Sequence, residues 1–156
     1  MIGLLVIAHA PLADSLLSCA RHVYGCDPDH CAHTAALDVA PHAEVASLLP
    51  QARALCVSLN SGDGVLVLTD LFGATPANLA AQLVALPGVQ VVTGASLPML
   101  LRALSYRNHA DLPTLVEKAM AGATAGVIKI ASTAPQNQRT STLDPDDANA
   151  RLHHSQ

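Results

Sequence analysis

The sequence has no tryptophan, one phenylalanine and two tyrosines in 156 residues, so aromatic side chains make up only 2% of it. Basic residues are scarce as well: 8 lysines and arginines stand against 12 aspartates and glutamates, for a formal net charge of −4. A nucleic-acid binder draws on a basic face or on aromatic stacking platforms, and this composition supplies neither. No apolar run approaches the roughly 20 residues that a membrane-spanning helix requires, so no direct membrane insertion is expected. The amino-terminal run Met1 to Ala8 carries no basic residue ahead of its apolar stretch. It reads as a buried strand and not as an export signal, which makes the cytoplasm the expected location. No GxGxxG or GxxxxGK[ST] segment occurs, so direct use of a nucleotide has no motif behind it, and no cofactor is expected.

Cysteine is sparse, at positions 19, 26, 31 and 56. In a cytoplasmic chain these residues are expected as reduced thiols. Cys19, Cys26 and Cys31 interleave with His22, His30 and His33, and zinc sites use these ligand types. However, there is no Cys-x2-Cys pair, and Cys19 is expected near the inner face of the first helix. The cysteines are therefore read as small buried hydrophobes, and no metal is assigned.

What is present is a hydrophobic fraction of 51% and a mean hydropathy of +0.35, enough for the core of one domain. Strand-length apolar runs alternate with helical periodicity. Ile2 to Ala8 reads as a strand buried on both faces. Leu12, Leu16, Ala20 and Val23 then recur along one helical face, with Gly25 as the stop. Thr34 to Val39 is a second strand, followed by a helix from about His42 to Leu59 that Pro50 should kink. Gly64 to Thr69 is the clearest strand. After it, Thr75 is expected as an N-cap and Pro76 as the first helical residue. Val89 to Thr93 is a fourth strand, Ser96-Leu97-Pro98 opens a helix to about Tyr106, Asp111 caps another, and Gly126 to Ala131 is expected as the last strand. From residue 132 onward polar residues dominate without periodicity, so 1–131 is read as the domain and 132–156 as a disordered tail.

This alternation predicts an α/β three-layer sandwich with a doubly wound, mainly parallel sheet and the 126–131 strand at an edge. Ligands of open parallel sheets bind beyond the carboxyl ends of the strands. That rule selects Ala8 to Pro11, Thr69 to Pro76 and Gly94 to Pro98. His9 and Asp70 fall at the ends of the first and third strands, which are commonly neighbours. A carboxylate that binds one imidazole nitrogen fixes the tautomer and leaves the other nitrogen free to attack. Taken alone, His9 could equally be a strand-end histidine with ordinary hydrogen bonds. The amides of Gly73, Ala74 and Thr75 precede a helix and form a natural anion site. The Thr75 hydroxyl could serve a bound phosphoryl group or cap the helix. Apart from Arg102, no basic residue lies close to these loops, so phosphoryl stabilisation would rest on backbone amides and a partner's side chains.

Three segments carry a resemblance: Leu4 to Leu17 around Ala8-His9-Ala10-Pro11, Gly64 to Asn78 with Asp70-Leu71-Phe72-Gly73-Ala74-Thr75-Pro76, and Gly94 to Leu100. In order and spacing, 1–131 resembles the mannose-family enzyme IIA (EIIA) of the bacterial phosphoenolpyruvate:sugar phosphotransferase system (PTS). The resemblance implies a phosphotransferase in which His9 takes a phosphoryl group from HPr and passes it to an EIIB partner, in sugar uptake or regulation. It further implies that Asp70 orients the imidazole, that Gly73, Ala74 and Thr75 hold the phosphoryl oxygens, and that the protein is a homodimer, with the last strand exchanged in some members. The sequence departs from the family at Ala8, where threonine is usual, at Ala10, where glycine is usual, and at Ser96, where asparagine is frequent. The first two changes define a competing expectation, a regulator of the same fold that binds partners without phosphoryl transfer. The leading domain of the dihydroxyacetone kinase phosphotransfer subunit is related, but the segments around Asp70 and Pro98 match it less well.

Overall fold

A computed structural model describes residues 1–29 and 31–131. The expected tail, 132–156, lies outside the described residues, as does His30. The strands are β1 (Gly3–His9), β2 (Thr34–Val39), β3 (Val65–Thr69) and β4 (Val89–Val92). The α-helices are α1 (Leu12–Tyr24), α2 (Val45–Leu59), α3 (Thr75–Ala81), α4 (Leu97–Tyr106) and α5 (Leu112–Ala125), with a 3₁₀ turn at Gln82–Ala85. The strands pair in the order β2-β1-β3-β4, and every pair is parallel.

Both faces of this sheet are covered, which is why β1 and β3 are continuous apolar runs and not alternating ones. Leu4, Val6, Ala8, Leu66 and Leu68 pack on one side with residues of α1, α4 and α5. Leu5, Ile7, Val65 and Val67 pack on the other with residues of α2 and α3. The result is the expected three-layer sandwich. At the near end of β1, a Cβ on Gly3 would stand 2.6 Å from the Leu59 carbonyl oxygen, so glycine there permits α2 to close on the sheet.

Several local expectations are corrected. α1 buries Ala13, Leu17 and Ala20, whereas Leu12 and Val23 are exposed and Cys19 lies on the outer surface. Small alanines at 13 and 20 flank Leu17 on the inner face, so Ala20 is buried as expected while Leu12 and Val23 turn outward. α2 runs through Pro50 without interruption. Pro50 and Ala46 are both exposed, so water can serve the carbonyl that proline leaves without a donor. Thr75 is the first residue of α3 and not its cap: Ala74 occupies the cap position, and no side chain caps the helix.

The segment 126–131 is not a strand. A strand needs an edge to pair with, and this segment pairs with none among the described residues, where Val127, Ile128 and Ile130 are exposed. Finally, Cys26 and Cys31 are joined in a disulfide and are not reduced thiols. The turn after α1 brings their Cα atoms to 5.5 Å, within the reach of that bond.

Candidate functional site

The strand order reverses between β1 and β3, where one neighbour connects outward on each side, and this is where open sheets present ligand clefts. His9 ends β1 and Asp70 immediately follows β3. The His9 side chain is half exposed, at 50%, while that of Asp70 is 12% exposed. His9 Nδ1 lies 2.7 Å from Asp70 Oδ2. The backbone N–H of His9 donates to the same oxygen at 3.0 Å. The N–H of Leu71 donates to Asp70 Oδ1 at 2.9 Å. The carboxylate therefore grips both the backbone and the ring of His9 and closes its own loop.

Partial burial works to raise the Asp70 pKa, but the hydrogen bonds from the His9 backbone, the His9 ring and Leu71, with the charge of His9, outweigh it. The net effect holds Asp70 below the ordinary carboxylate range, so it is ionised at neutral pH. A carboxylate accepts the Nδ1 proton of a neutral imidazole, which leaves the Nε2 lone pair directed away from Asp70.

Gly73 and Ala74 lie on the loop that leaves Asp70 for α3, and Thr75 opens that helix. Gly73 has φ +82°, a left-handed conformation that turns the chain back toward the helix, and a Cβ there would meet nothing within 4 Å. Glycine at this position serves the backbone angle and not a shortage of space. The Ala74 N–H donates to the Leu71 carbonyl at 3.3 Å, so one of the three expected amides is already engaged. The N–H groups of Gly73 and Thr75 meet no acceptor among the described residues. With Ala74 at the cap position, the Thr75 hydroxyl is not spent on the helix end.

The flanking loops are fixed from the same sheet. Ala10 N–H donates to the Val39 carbonyl at 2.9 Å, and Ala95 N–H donates to the Thr69 carbonyl at 2.8 Å. Ser96 caps α4, its hydroxyl accepting from Met99 N–H at 3.3 Å. Ala8 is fully buried in the core layer under α1, and Ala10 is exposed and has no positive φ, so its backbone does not require glycine.

Sequence reasoning missed Asp38. Its Oδ1 accepts the Ala13 N–H at 2.9 Å and, more weakly, the Asp14 N–H at 3.4 Å, which caps the helix that begins next to His9. An acid inside the otherwise apolar stretch Thr34–Val39 was the available signal, because a buried strand carries a carboxylate only when something satisfies it. The exposed Leu71 and Phe72 on the β3–α3 loop were also not singled out, and Phe72 is 85% exposed.

Fold and site together define an α/β open-sheet domain that presents a carboxylate-held histidine at its switch point. Residues 3–120 match the EIIA-man family model, described as PTS system fructose IIA component, and the chain belongs to that family. Its fold is shared with the phosphotransferase system component EIIA from Streptococcus agalactiae, at 23% identity over 83% of this chain and 97% of that one, with a TM-score of 0.72. The mannose/sorbose-specific IIA subunit from Enterococcus faecalis gives the same TM-score at 21% identity, over 86% and 98% of the two chains. A PTS IIA protein associated with the fucose utilization operon of Streptococcus pneumoniae is 28% identical over 76% of this chain and 88% of that one, with a TM-score of 0.63. No curated protein matches the chain. No helix among the described residues is long and apolar enough to cross a membrane.

Proposed function

We propose that this protein is a cytoplasmic phosphocarrier that accepts a phosphoryl group from phospho-HPr on Nε2 of His9 and passes it to an EIIB partner. The observation that carries this reading is the 2.7 Å contact between His9 Nδ1 and Asp70 Oδ2 on a half-exposed histidine. The Nε2 lone pair attacks phosphorus as the bond from phosphorus to the donor breaks. Positive charge develops on the ring, and the ionised Asp70 stabilises it through the Nδ1–H. The Gly73 and Thr75 amides and the Thr75 hydroxyl receive phosphoryl oxygens, and the Ala74 N–H joins them by exchanging its long bond to Leu71. None of the loops at this end of the sheet (9–12, 40–44, 70–74 and 93–96) contains lysine or arginine, so further cationic stabilisation comes from the partner.

Incubation with phosphoenolpyruvate, enzyme I and HPr tests this reading. An acid-labile, base-stable phosphate is expected on the native chain and not on His9→Ala. Labelling that persists in His9→Ala would move the acceptor to another residue. No labelling of either protein would favour the regulator reading, which rests on Ala8 and Ala10.

The reading includes a homodimer in which the 126–131 segment of one copy pairs along the outer edge of β4 in the other. Supporting it are the outer edge of β4, which pairs with no strand among the described residues, and the exposure of Val127 and Ile130, at 86% and 92%. Beside that edge lies a groove of about 750 Å³ lined in part by Phe72, Val91, Met99, Val116 and Met120. Sedimentation of a chain ending at Ala125 should give a monomer where the full chain gives a dimer. Equal sedimentation of the two would remove the segment from the interface.

A further inference from the structure

α1 is 13 residues long, so its two ends stand about 20 Å apart at roughly 1.5 Å per residue. His9 lies beside the first end, and the Cys26–Cys31 disulfide closes the loop after the second. The helix stops at Gly25, whose φ of +71° turns the chain. Cys26 N–H then donates to the Arg21 carbonyl at 3.1 Å, and Cys31 N–H to the Asp27 carbonyl at 3.1 Å. Thr34 completes the arrangement: its hydroxyl donates to the Cys31 carbonyl at 2.8 Å and accepts from Arg21 Nη2 at 2.6 Å. Cys26 is thus tied to the Arg21 backbone, and Cys31, through Thr34, to the Arg21 guanidinium. Arg21, Cys26, Asp27, Pro28 and Cys31 line an open cleft of about 360 Å³.

The other cysteines differ in kind. Cys56 is buried, and burial pushes its thiol up to about 11, where the reactive thiolate is scarce. Cys19 is an exposed free thiol on the outer side of α1. Cys26 and Cys31 alone combine partial exposure, a place on an open cleft and a partner at bonding distance. Disulfides of cytoplasmic proteins are characteristically transient and redox-sensing.

We propose that Cys26 and Cys31 form a reversible dithiol–disulfide pair that exchanges with a low-molecular-weight disulfide, such as glutathione disulfide, through the cleft beside Arg21. One cysteine thiolate attacks a glutathione sulfur, the glutathione S–S bond breaks, and one glutathione thiolate leaves. The second cysteine thiolate attacks the resulting mixed disulfide and releases the second glutathione. Two electrons pass from the protein thiols to glutathione disulfide, and the two protein thiol protons end on the two glutathione thiolates or in solvent. The exchange is independent of His9 and of phosphoryl transfer.

The full chain, equilibrated over a series of glutathione ratios, acid-quenched and alkylated, tests this by intact mass and peptide mapping. In oxidised buffer two of the four cysteines should escape alkylation and map to a 26–31 bond. Both should return in millimolar reduced glutathione. Cys26→Ser and Cys31→Ser should each abolish the bond, and Cys19→Ser should not. Full alkylation in oxidised buffer, a bond involving Cys19, or a 26–31 bond that persists in millimolar reduced glutathione would each overturn the proposal. None of these readings depends on whether His9 is phosphorylated.

Discussion

Replacing Asp70 with asparagine removes a charge while keeping the shape, and the three hydrogen bonds that Asp70 accepts determine the outcome. Oδ2 receives both the His9 backbone N–H and the ring, and Oδ1 receives Leu71 N–H. An amide has one oxygen. If that oxygen faces His9, the NH2 meets the Leu71 N–H and the loop loses its closing bond. If it faces Leu71, the NH2 opposes the His9 N–H and donates to Nδ1, which moves the ring proton to Nε2 and blocks attack. The first arrangement forfeits one charge-assisted hydrogen bond, worth about 1.5–3 kcal/mol, and the second forfeits both bonds to His9, so the first sets the smallest expected effect. At about 1.4 kcal/mol per factor of ten, transfer to His9 should slow roughly tenfold to 150-fold. Rapid-quench measurement of transfer from labelled phospho-HPr reads this directly, with circular dichroism as the control for folding. Transfer within twofold of the native rate would refute the assigned role of Asp70.

Three further outcomes follow from the same geometry. Because the folded state holds the Asp70 pKa below its unfolded value, the associated stability is present above the unfolded carboxylate pKa and is lost as pH falls through the lowered one. Urea midpoints of native protein and Asp70→Asn should therefore differ most near neutrality and converge on acidification, and a constant difference across that range would contradict the linkage. Asp38→Ala should cost about 0.5–2 kcal/mol by uncapping α1, read as a lower urea midpoint, and an unchanged midpoint would show that the cap is not stabilising. Gly3→Ala forces a Cβ against the Leu59 carbonyl oxygen at 2.6 Å and should cost more than about 1 kcal/mol, whereas a neutral effect would show that α2 moves freely away from the sheet.

Much of the fold was legible because the period of the apolar pattern changes with the element. The runs Leu4–Ala8 and Val65–Leu68 are too continuous for a half-exposed strand, and both are buried on two faces. Asp111 caps α5 through a bond from Thr114 N–H at 2.9 Å, as its place before the helix indicated. His9 and Asp70 could be paired from sequence because topology alone places the ends of β1 and β3 side by side. What escaped depends on contacts between segments remote in sequence. The inner face of α1 was rightly placed at Ala20 and, in part, Leu16, but Ala13 and Leu17 are buried there in place of Leu12 and Val23, because the angle of the helix is set by packing on the sheet. Asp38 reaches across to a helix that begins 26 residues earlier, at Leu12, and no local pattern reports that. The 126–131 segment has a strand's composition but pairs with no edge among the described residues. The Cys26–Cys31 bond was missed because the expected compartment outweighed a spacing short enough for a turn to close.

The central claim is that Asp70 occupies Nδ1 of His9 and leaves Nε2 to carry the phosphoryl group. Nitrogen-15 and phosphorus-31 NMR of the protein phosphorylated by phospho-HPr tests it most directly, through the coupling between phosphorus and the ring nitrogens. A single phosphohistidine with phosphorus bonded to Nε2 of His9 is predicted. Phosphorus on Nδ1, or on any other residue, would contradict it.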